Sequence, residues 1–165
     1  MHDRNHSLRD VVIVAADTAY PEYLAYQAYV GHPNRPFQSS VTWMAFYTAK
    51  AIQREVPAIL EIRHAVVFAR ETMSDLYATG EEADRDIADL IDVVLEETKR
   101  PGGGMHDVVL LSGPDDPQTF KLREPVRGTK RDHKGRPVPI TMGQYRYTSM
   151  SDLTRGPLET DELGL

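Results

Sequence analysis

The sequence predicts an α+β fold: a bent, mixed but mainly antiparallel sheet or partial β-barrel, with two to three flanking helices. Short runs rich in β-branched and aromatic residues occur at 10–16, 41–48 and 61–69, as expected for strands. Apolar residues then recur at helical spacing after residue 81. Pro and Gly separate these segments, and this order of elements is typical of a strand meander or small barrel with helices outside.

The stretch from Val41 to Phe68 contains the single tryptophan and forms the predicted centre of the fold. Side chains alternate along a strand, so Trp43 and Tyr47 fall on one face and Phe46 on the other. Because both faces carry large apolar groups, we expect a strand that is buried on both sides. Pro57 cannot donate a ladder hydrogen bond and predicts an edge strand, a bulge or a bend near it.

Strands are also predicted at 10–16 and 106–112, and residues 119–122 are expected to pair back as a hairpin. Tyrosines recur at every third position from Tyr20 to Tyr29, which predicts a helix over 20–30. Thr79 and Glu82 fit a capping box at the start of an acidic helix that ends near Lys99 and Arg100. A strand around residues 145–147 and a short helical turn capped by Ser149 or Ser151 complete the pattern.

A length of 165 residues predicts a single domain over residues 10–154. Residues 1–9 are predicted to be a disordered arm and residues 155–165 a loose tail. The chain has no cysteine, which excludes disulfides, zinc–thiolate sites and thiol nucleophiles. No apolar run reaches membrane-spanning length and no signal-peptide pattern is present, so we expect a cytoplasmic protein without a membrane partner.

The charge is unevenly distributed along the chain. The formal net charge is -6, yet residues 121–136 carry seven Lys and Arg against two acids, a net +5 that leaves -11 elsewhere. Such a basic segment on an acidic chain predicts an anion site that can follow a phosphate backbone. The alternatives are a solvated loop or a loop that pairs with the acidic helix.

Motifs that would identify a reaction are missing. There is no P-loop, GxSxG, HExxH or CxxC, so we assign no catalytic residue, no metal site and no cofactor. Asp17 follows the first strand, and Glu61 begins a Glu-Ile-Arg sequence that resembles a nuclease Glu-x-Lys motif with arginine in place of lysine. These two acids define one alternative, a metal-dependent hydrolase or nuclease. His64 is a candidate base, although its position between Ile62 and Val66 favours a packed core residue.

Several segments resemble the PUA-like superfamily that includes EVE and ASCH domains: the WMAFY strand, the edge from Ala51-Ile52 to Leu60, the EIRHAVVF strand, and FKLREPV followed by QYRYTSMSDL. The resemblance covers about two thirds of the chain, mainly from Val41 on. It implies a small pseudo-barrel that binds RNA, or a modified DNA base, in an aromatic cleft.

The leading functional hypothesis is a nucleic-acid or nucleotide-binding module. Trp43 and Tyr47 would offer a stacking surface for a base. Four cations would hold phosphate: Arg35, Lys130, Arg131 and Lys134. A further alternative is a protein-interaction or assembly subunit, or a homo-oligomer, with the acidic helix docking a basic partner.

Overall fold

The structure is a computed structural model that describes residues 8–97 and 102–165. The chain divides into two compact units. Unit 1 comprises residues 1–21, 37–58 and 113–165, and unit 2 comprises residues 22–36 and 59–112. Leu8 and Arg9 are the described part of the predicted N-terminal arm, and residues 1–7 lie outside the described residues.

Ten strands and four α-helices follow one another in the described residues. The strands are β1 (Val11–Ala15), β2 (Ala28–Gly31), β3 (Trp43–Thr48), β4 (Ala51–Ile52), β5 (Glu55–Val56), β6 (Ile59–Val67), β7 (Met105–Leu111), β8 (Phe120–Lys121), β9 (Val126–Arg127) and β10 (Arg146–Thr148). The helices are α1 (Ala19–Tyr26), α2 (Arg70–Thr79), α3 (Glu82–Glu97) and α4 (Met150–Thr154), and a 3₁₀ helix spans Thr160–Leu163.

Unit 1 is built on a curled five-stranded sheet with the strand order β10-β1-β3-β4-β9, which forms a half-barrel. Strands β1 and β3 run parallel, with Val11 opposite Trp43 and Ala15 opposite Tyr47. The other neighbouring strands of this sheet are antiparallel. The predicted fold class, α+β with a bent mixed sheet or partial barrel, is therefore confirmed.

The central strands of unit 1 are buried on both faces, as the apolar pattern predicted. All of β1 from Val11 to Val14 is inaccessible to solvent, and so are Met44 and Phe46 on β3. On one face, Val11, Ile13, Ala45 and Tyr47 join a core cluster with six further buried side chains: Ile52, Val56, Leu122, Val126, Ile140 and Leu153. Burying a large aliphatic side chain contributes roughly 1.5–3 kcal/mol, so this cluster contributes substantially to the stability of unit 1.

Strand β8 pairs with β5 rather than folding back on the preceding strand, so the predicted hairpin at 119–122 is wrong. Phe120 lies opposite Val56, and the Leu122 amide donates to the Arg54 carbonyl at 2.8 Å. The turn at residues 113–118 is a local signal, whereas the β5–β8 pairing joins residues 64 and 66 positions apart and is not visible in local sequence. Pro57 lies between β5 and β6 and belongs to neither strand.

The last eleven residues, for which the sequence predicted a loose tail, contact β9 and the residues after it. The Arg127 amide donates to the Leu158 carbonyl at 2.8 Å. Thr160 is fully buried, and its hydroxyl accepts a hydrogen bond from the Thr129 amide at 3.0 Å. These hydrogen bonds involve backbone groups and one small side chain, and Leu163 and Leu165 add apolar contacts with the core cluster of unit 1.

Unit 2 contains a three-stranded antiparallel sheet with the order β2-β7-β6 and the helices α2 and α3. The predicted stripe on α3 is confirmed, since Ile87, Ile91 and Val94 are fully buried. They share a core cluster with Val108 and Leu110 of β7.

The helix predicted over residues 20–30 is shorter in the structure. It ends at Tyr26, Gln27 adopts a positive φ of 54°, and residues 28–31 form strand β2. Pairing of these residues with β7 supplies backbone hydrogen bonds and buries all four of them, which outweighs the three-residue tyrosine spacing.

The predicted capping box is also wrong, because Thr79 is the last residue of α2 and Glu82 is the first of α3. The Thr79 hydroxyl donates to the Asp84 carboxylate at 2.7 Å, and Arg63 donates to the same carboxylate at 2.6 Å. These two contacts hold the pKa of Asp84 below its ordinary value. The predicted contribution of Lys99 and Arg100 to the helix end lies outside the described residues.

Across residues 8–97 and 102–165, none of the helices has the length and apolar content needed to cross a membrane.

Replacing Ile91 with Ala tests the packing of α3. We expect a loss of about 2–5 kcal/mol in the free energy of unfolding, because the side chain is fully buried against the sheet of unit 2. Exposed Glu96 on the same helix provides the control, since Glu96→Ala should change stability by less than about 0.5 kcal/mol. Equal losses of unfolding free energy in urea titrations of the two variants would contradict the burial of Ile91.

Candidate functional site

The basic segment is an ordered loop. Asp132 organises residues 129–138, here called the basic loop: one carboxylate oxygen accepts from the Lys134 and Arg136 amides, each at 2.9 Å, and the other from Arg136 Nε at 2.9 Å. The loop closes through a hydrogen bond from the Val138 amide to the Lys130 carbonyl at 3.0 Å. The contacts from Arg136 and Lys134 keep the pKa of Asp132 below its ordinary value.

Some cations of this segment are paired and others are not. Lys121 lies 3.4 Å from Asp115, Arg136 lies 2.9 Å from Asp132, and Arg127 pairs with Glu159. The remaining four form no ion pair with a described residue: Arg123, Lys130, Arg131 and Lys134. Arg131 instead donates to the Gly135 carbonyl at 3.0 Å, which fixes the position of its guanidinium. The loop therefore presents cations that are not neutralised by neighbouring acids.

Tyr47 lies at the base of the basic loop. Its hydroxyl is so close to Gly128 that a Cβ added there would be 1.9 Å from the oxygen. The side chain is only 7% exposed and belongs to the core of unit 1, and this burial raises the pKa of Tyr47. The hydroxyl makes no hydrogen bond to a described residue. The Tyr47 hydroxyl thus lies against the predicted phosphate-binding segment at Gly128, while its ring packs in the core of unit 1.

Trp43 shares a face of β3 with Tyr47 but lies four residues earlier, which is roughly 13 Å along an extended strand. It is partly exposed, packs against the core cluster and pairs with Ala58. The structure therefore places Tyr47 next to the basic loop and Trp43 at the opposite end of the strand.

Lys50 is a cation beside the basic loop that the sequence analysis missed. It lies in the two-residue turn between β3 and β4, where Ala49 and Lys50 have φ values of 51° and 61°. Such turns favour Asn-Gly, so two residues with a Cβ here are strained. The Lys50 carbonyl accepts a hydrogen bond from the Gly128 amide at 2.7 Å, which brings the exposed Lys50 next to the loop. The turn was not predicted because the sequence lacks the Asn-Gly dipeptide typical of such turns.

We call Lys50, Lys130, Arg131 and Lys134 the cation surface. All four belong to unit 1. Arg35, the other predicted phosphate ligand, is exposed in the loop between β2 and β3 and belongs to unit 2, so its joint action with the basic loop stays a prediction.

The acids of the alternative hydrolase site also belong to different units. Asp17, in unit 1, accepts a hydrogen bond from the Thr48 hydroxyl at 2.6 Å. Glu61, in unit 2, pairs with Arg63 at 2.7 Å. In the part of the chain that the structure describes, no group of three or more His, Asp or Glu is arranged to hold a metal ion.

His64 is exposed, so the expectation of a packed core residue is wrong. Its side chain is 64% exposed, and Nδ1 lies 3.0 Å from the buried Asp107 carboxylate. A bulge in β6 turns it outward: Ala65 has a φ of 54° and its amide donates to Asp107 at 2.9 Å. Asp107 thus holds the exposed imidazole through Nδ1.

Replacing Gly128 with Ala tests the contact between Tyr47 and the basic loop. The new methyl group would overlap the Tyr47 hydroxyl, so we expect a loss of about 1–3 kcal/mol in the free energy of unfolding. Adding Tyr47→Phe should recover part of that loss because it removes the nearest atom. Gly102→Ala, whose methyl would meet only Leu95 at 3.6 Å, is the control. If the effects of Gly128→Ala and Tyr47→Phe on the free energy of unfolding are additive, the new methyl group does not contact the Tyr47 hydroxyl.

No family model, curated protein or solved structure matches this chain.

Proposed function

We propose that this protein is a nucleic-acid or nucleotide-binding module that contacts phosphate through the cation surface. One observation carries the proposal: four cations lie on two adjoining turns, and none is paired with a carboxylate of the described residues. Lysine and arginine side chains in such an arrangement bind phosphate oxygens and release counterions from the nucleic acid. A loop whose only role was to keep the protein in solution would not need a carboxylate that accepts hydrogen bonds from two of its backbone amides.

The overall acidity of the chain does not oppose this function, because the negative charge belongs to unit 2. Unit 1 contains 13 Lys and Arg and 12 Asp and Glu, a net charge of +1. Unit 2 contains 6 Lys and Arg and 13 Asp and Glu, a net charge of -7. At physiological ionic strength charges are screened beyond about 8 Å, so the local density of cations on the loop matters more than the total.

Base recognition is a separate part of the proposal. Trp43, which is partly exposed, is a better stacking candidate than the buried Tyr47. The resemblance to the PUA-like superfamily, in which aromatic side chains wall a cleft, agrees with this role and remains a prediction. The hydrolase and the assembly subunit also stay alternatives.

Binding of a labelled single-stranded oligonucleotide, followed by fluorescence anisotropy at several salt concentrations, tests the phosphate contacts. Each phosphate contact on a single strand contributes roughly 0.7 to the slope of log K, the logarithm of the binding constant, against the logarithm of the salt concentration. If all four cations contact phosphate, the slope should therefore be about -3. Lys134→Ala should weaken binding and reduce the steepness by about 0.7. Lys121→Ala removes a cation that is already paired with Asp115, and serves as the control. Absence of binding at low salt, or equal effects of the two variants, would reject the proposal.

Asp132→Ala separates loop geometry from charge. The change makes the protein more positive, so a purely electrostatic surface would bind the oligonucleotide more tightly. We expect weaker binding instead, because the loop loses the carboxylate that fixes the Lys134 and Arg136 amides. The comparison is made at neutral pH, where the lowered pKa keeps Asp132 ionised in the native protein. Tighter binding by the variant would show that the geometry of the loop has no role.

A further inference from the structure

The edge strand β10 carries two polar side chains on the core face of the unit 1 sheet. Arg146 lies opposite Ile13, and Thr148 lies opposite Val11. Alternation along the strand puts Arg146 and Thr148 on the same face. Val11 and Ile13 belong to the core cluster of unit 1, so these two polar residues border an apolar interior.

Arg146 is partly buried and makes no ion pair or side-chain hydrogen bond with a described residue. Arg9 and Arg123 of unit 1 also lack such a partner, but both are exposed to water. A guanidinium has five N–H donors and no acceptor, and removing it partly from water without an anion is unfavourable. The position of Arg146 therefore calls for a negatively charged group.

Thr148 supplies an independent observation on the same face. It is 4% exposed, and within residues 8–97 and 102–165 its hydroxyl is the one buried side-chain oxygen or nitrogen that has no hydrogen-bond partner. Buried hydroxyls normally have a partner, so this one needs an explanation. Thr148 is two residues from Arg146, roughly 6.6 Å along the strand, so the two side chains are neighbours on one face of β10.

Trp43 extends this face across the sheet. Val11 pairs with Thr148 on one side and with Trp43 on the other, so the three residues form one row. Trp43 is then roughly 10 Å from Thr148, two strand spacings away. The indole N–H makes no hydrogen bond to a described residue. The side chains of Arg146, Thr148 and Trp43 thus offer three kinds of hydrogen-bond donor. None of them donates to an acceptor of the described residues.

We propose that Arg146 and Thr148 form a binding site for an oxyanion, the phosphate or carboxylate group of a small molecule. The guanidinium supplies charge and a pair of parallel donors, and the hydroxyl supplies one more donor. The site lies on β10 and is separate from the cation surface. It does not depend on the proposed function, because it needs no contact with the basic loop.

Emission of Trp43, the single tryptophan, reports on this site in the full chain. Inorganic phosphate and acetate are titrated separately at constant ionic strength, balanced with potassium chloride. We expect a saturable change with at least one of them, and which anion acts distinguishes a phosphate ligand from a carboxylate ligand. Arg146→Gln should weaken the response about tenfold or more, the usual effect of losing a charged hydrogen bond.

Thr148→Val keeps the shape of the side chain and removes the hydroxyl. If the hydroxyl binds the anion, the variant should bind it roughly three- to tenfold more weakly, while its melting temperature without anion stays the same or rises. Should Arg146→Gln fail to fold, Arg146→Lys retains the charge without the paired donors and should still weaken binding.

Two variants serve as controls and should keep the full response. Arg155→Gln alters an exposed arginine that is paired with Asp152 at 3.2 Å. Lys134→Ala alters the cation surface, so it separates this site from the proposed function. Absence of a saturable response to both anions, or unchanged affinity in the Arg146 and Thr148 variants, would overturn the proposal.

Discussion

The parallel pairing of β1 with β3 is the interaction on which unit 1 depends. Five residue pairs, from Val11–Trp43 to Ala15–Tyr47, bring the two most apolar strands side by side. The side chains of residues 11–14 and 44–46 are buried on both faces, so the pairing fixes the core cluster and the placement of β10 and β4 at its sides. Since a one-residue slip would exchange the two faces, the register also decides that Trp43 and Tyr47 point the same way.

The positions of polar groups around this sheet follow from that register. Tyr47 reaches Gly128 because it is the last core-facing residue of β3, and the turn that follows brings the Lys50 carbonyl to the Gly128 amide. At the other edge, the pairing of β10 with β1 sets Arg146 and Thr148 against the apolar face. One buried strand pair therefore positions both polar regions that we associate with ligands.

Two observations indicate that some of this geometry is maintained at an energetic cost. Ala49 and Lys50 occupy left-handed backbone conformations where glycine or asparagine would be less strained. Thr148 buries a hydroxyl without a partner. The strained turn adjoins the basic loop, and the unpartnered hydroxyl lies on the core face of β10.

Much of the fold was predictable because it depends on local pattern. The sequence alone determined the α+β class, the strands β1, β3 and β7, the buried stripe of α3 and the basic character of residues 121–136. It did not show that residues 28–31 form a strand, that β8 pairs with β5, or that Lys50 adjoins the basic loop. These features depend on hydrogen bonds between residues far apart in the chain, and only the tertiary structure decides which partner a short strand or a turn carbonyl finds. For the same reason, composition revealed the charge of the basic loop, whereas the fixed shape given by Asp132 and the lack of partners for Arg146 and Thr148 became apparent only when the chain was folded.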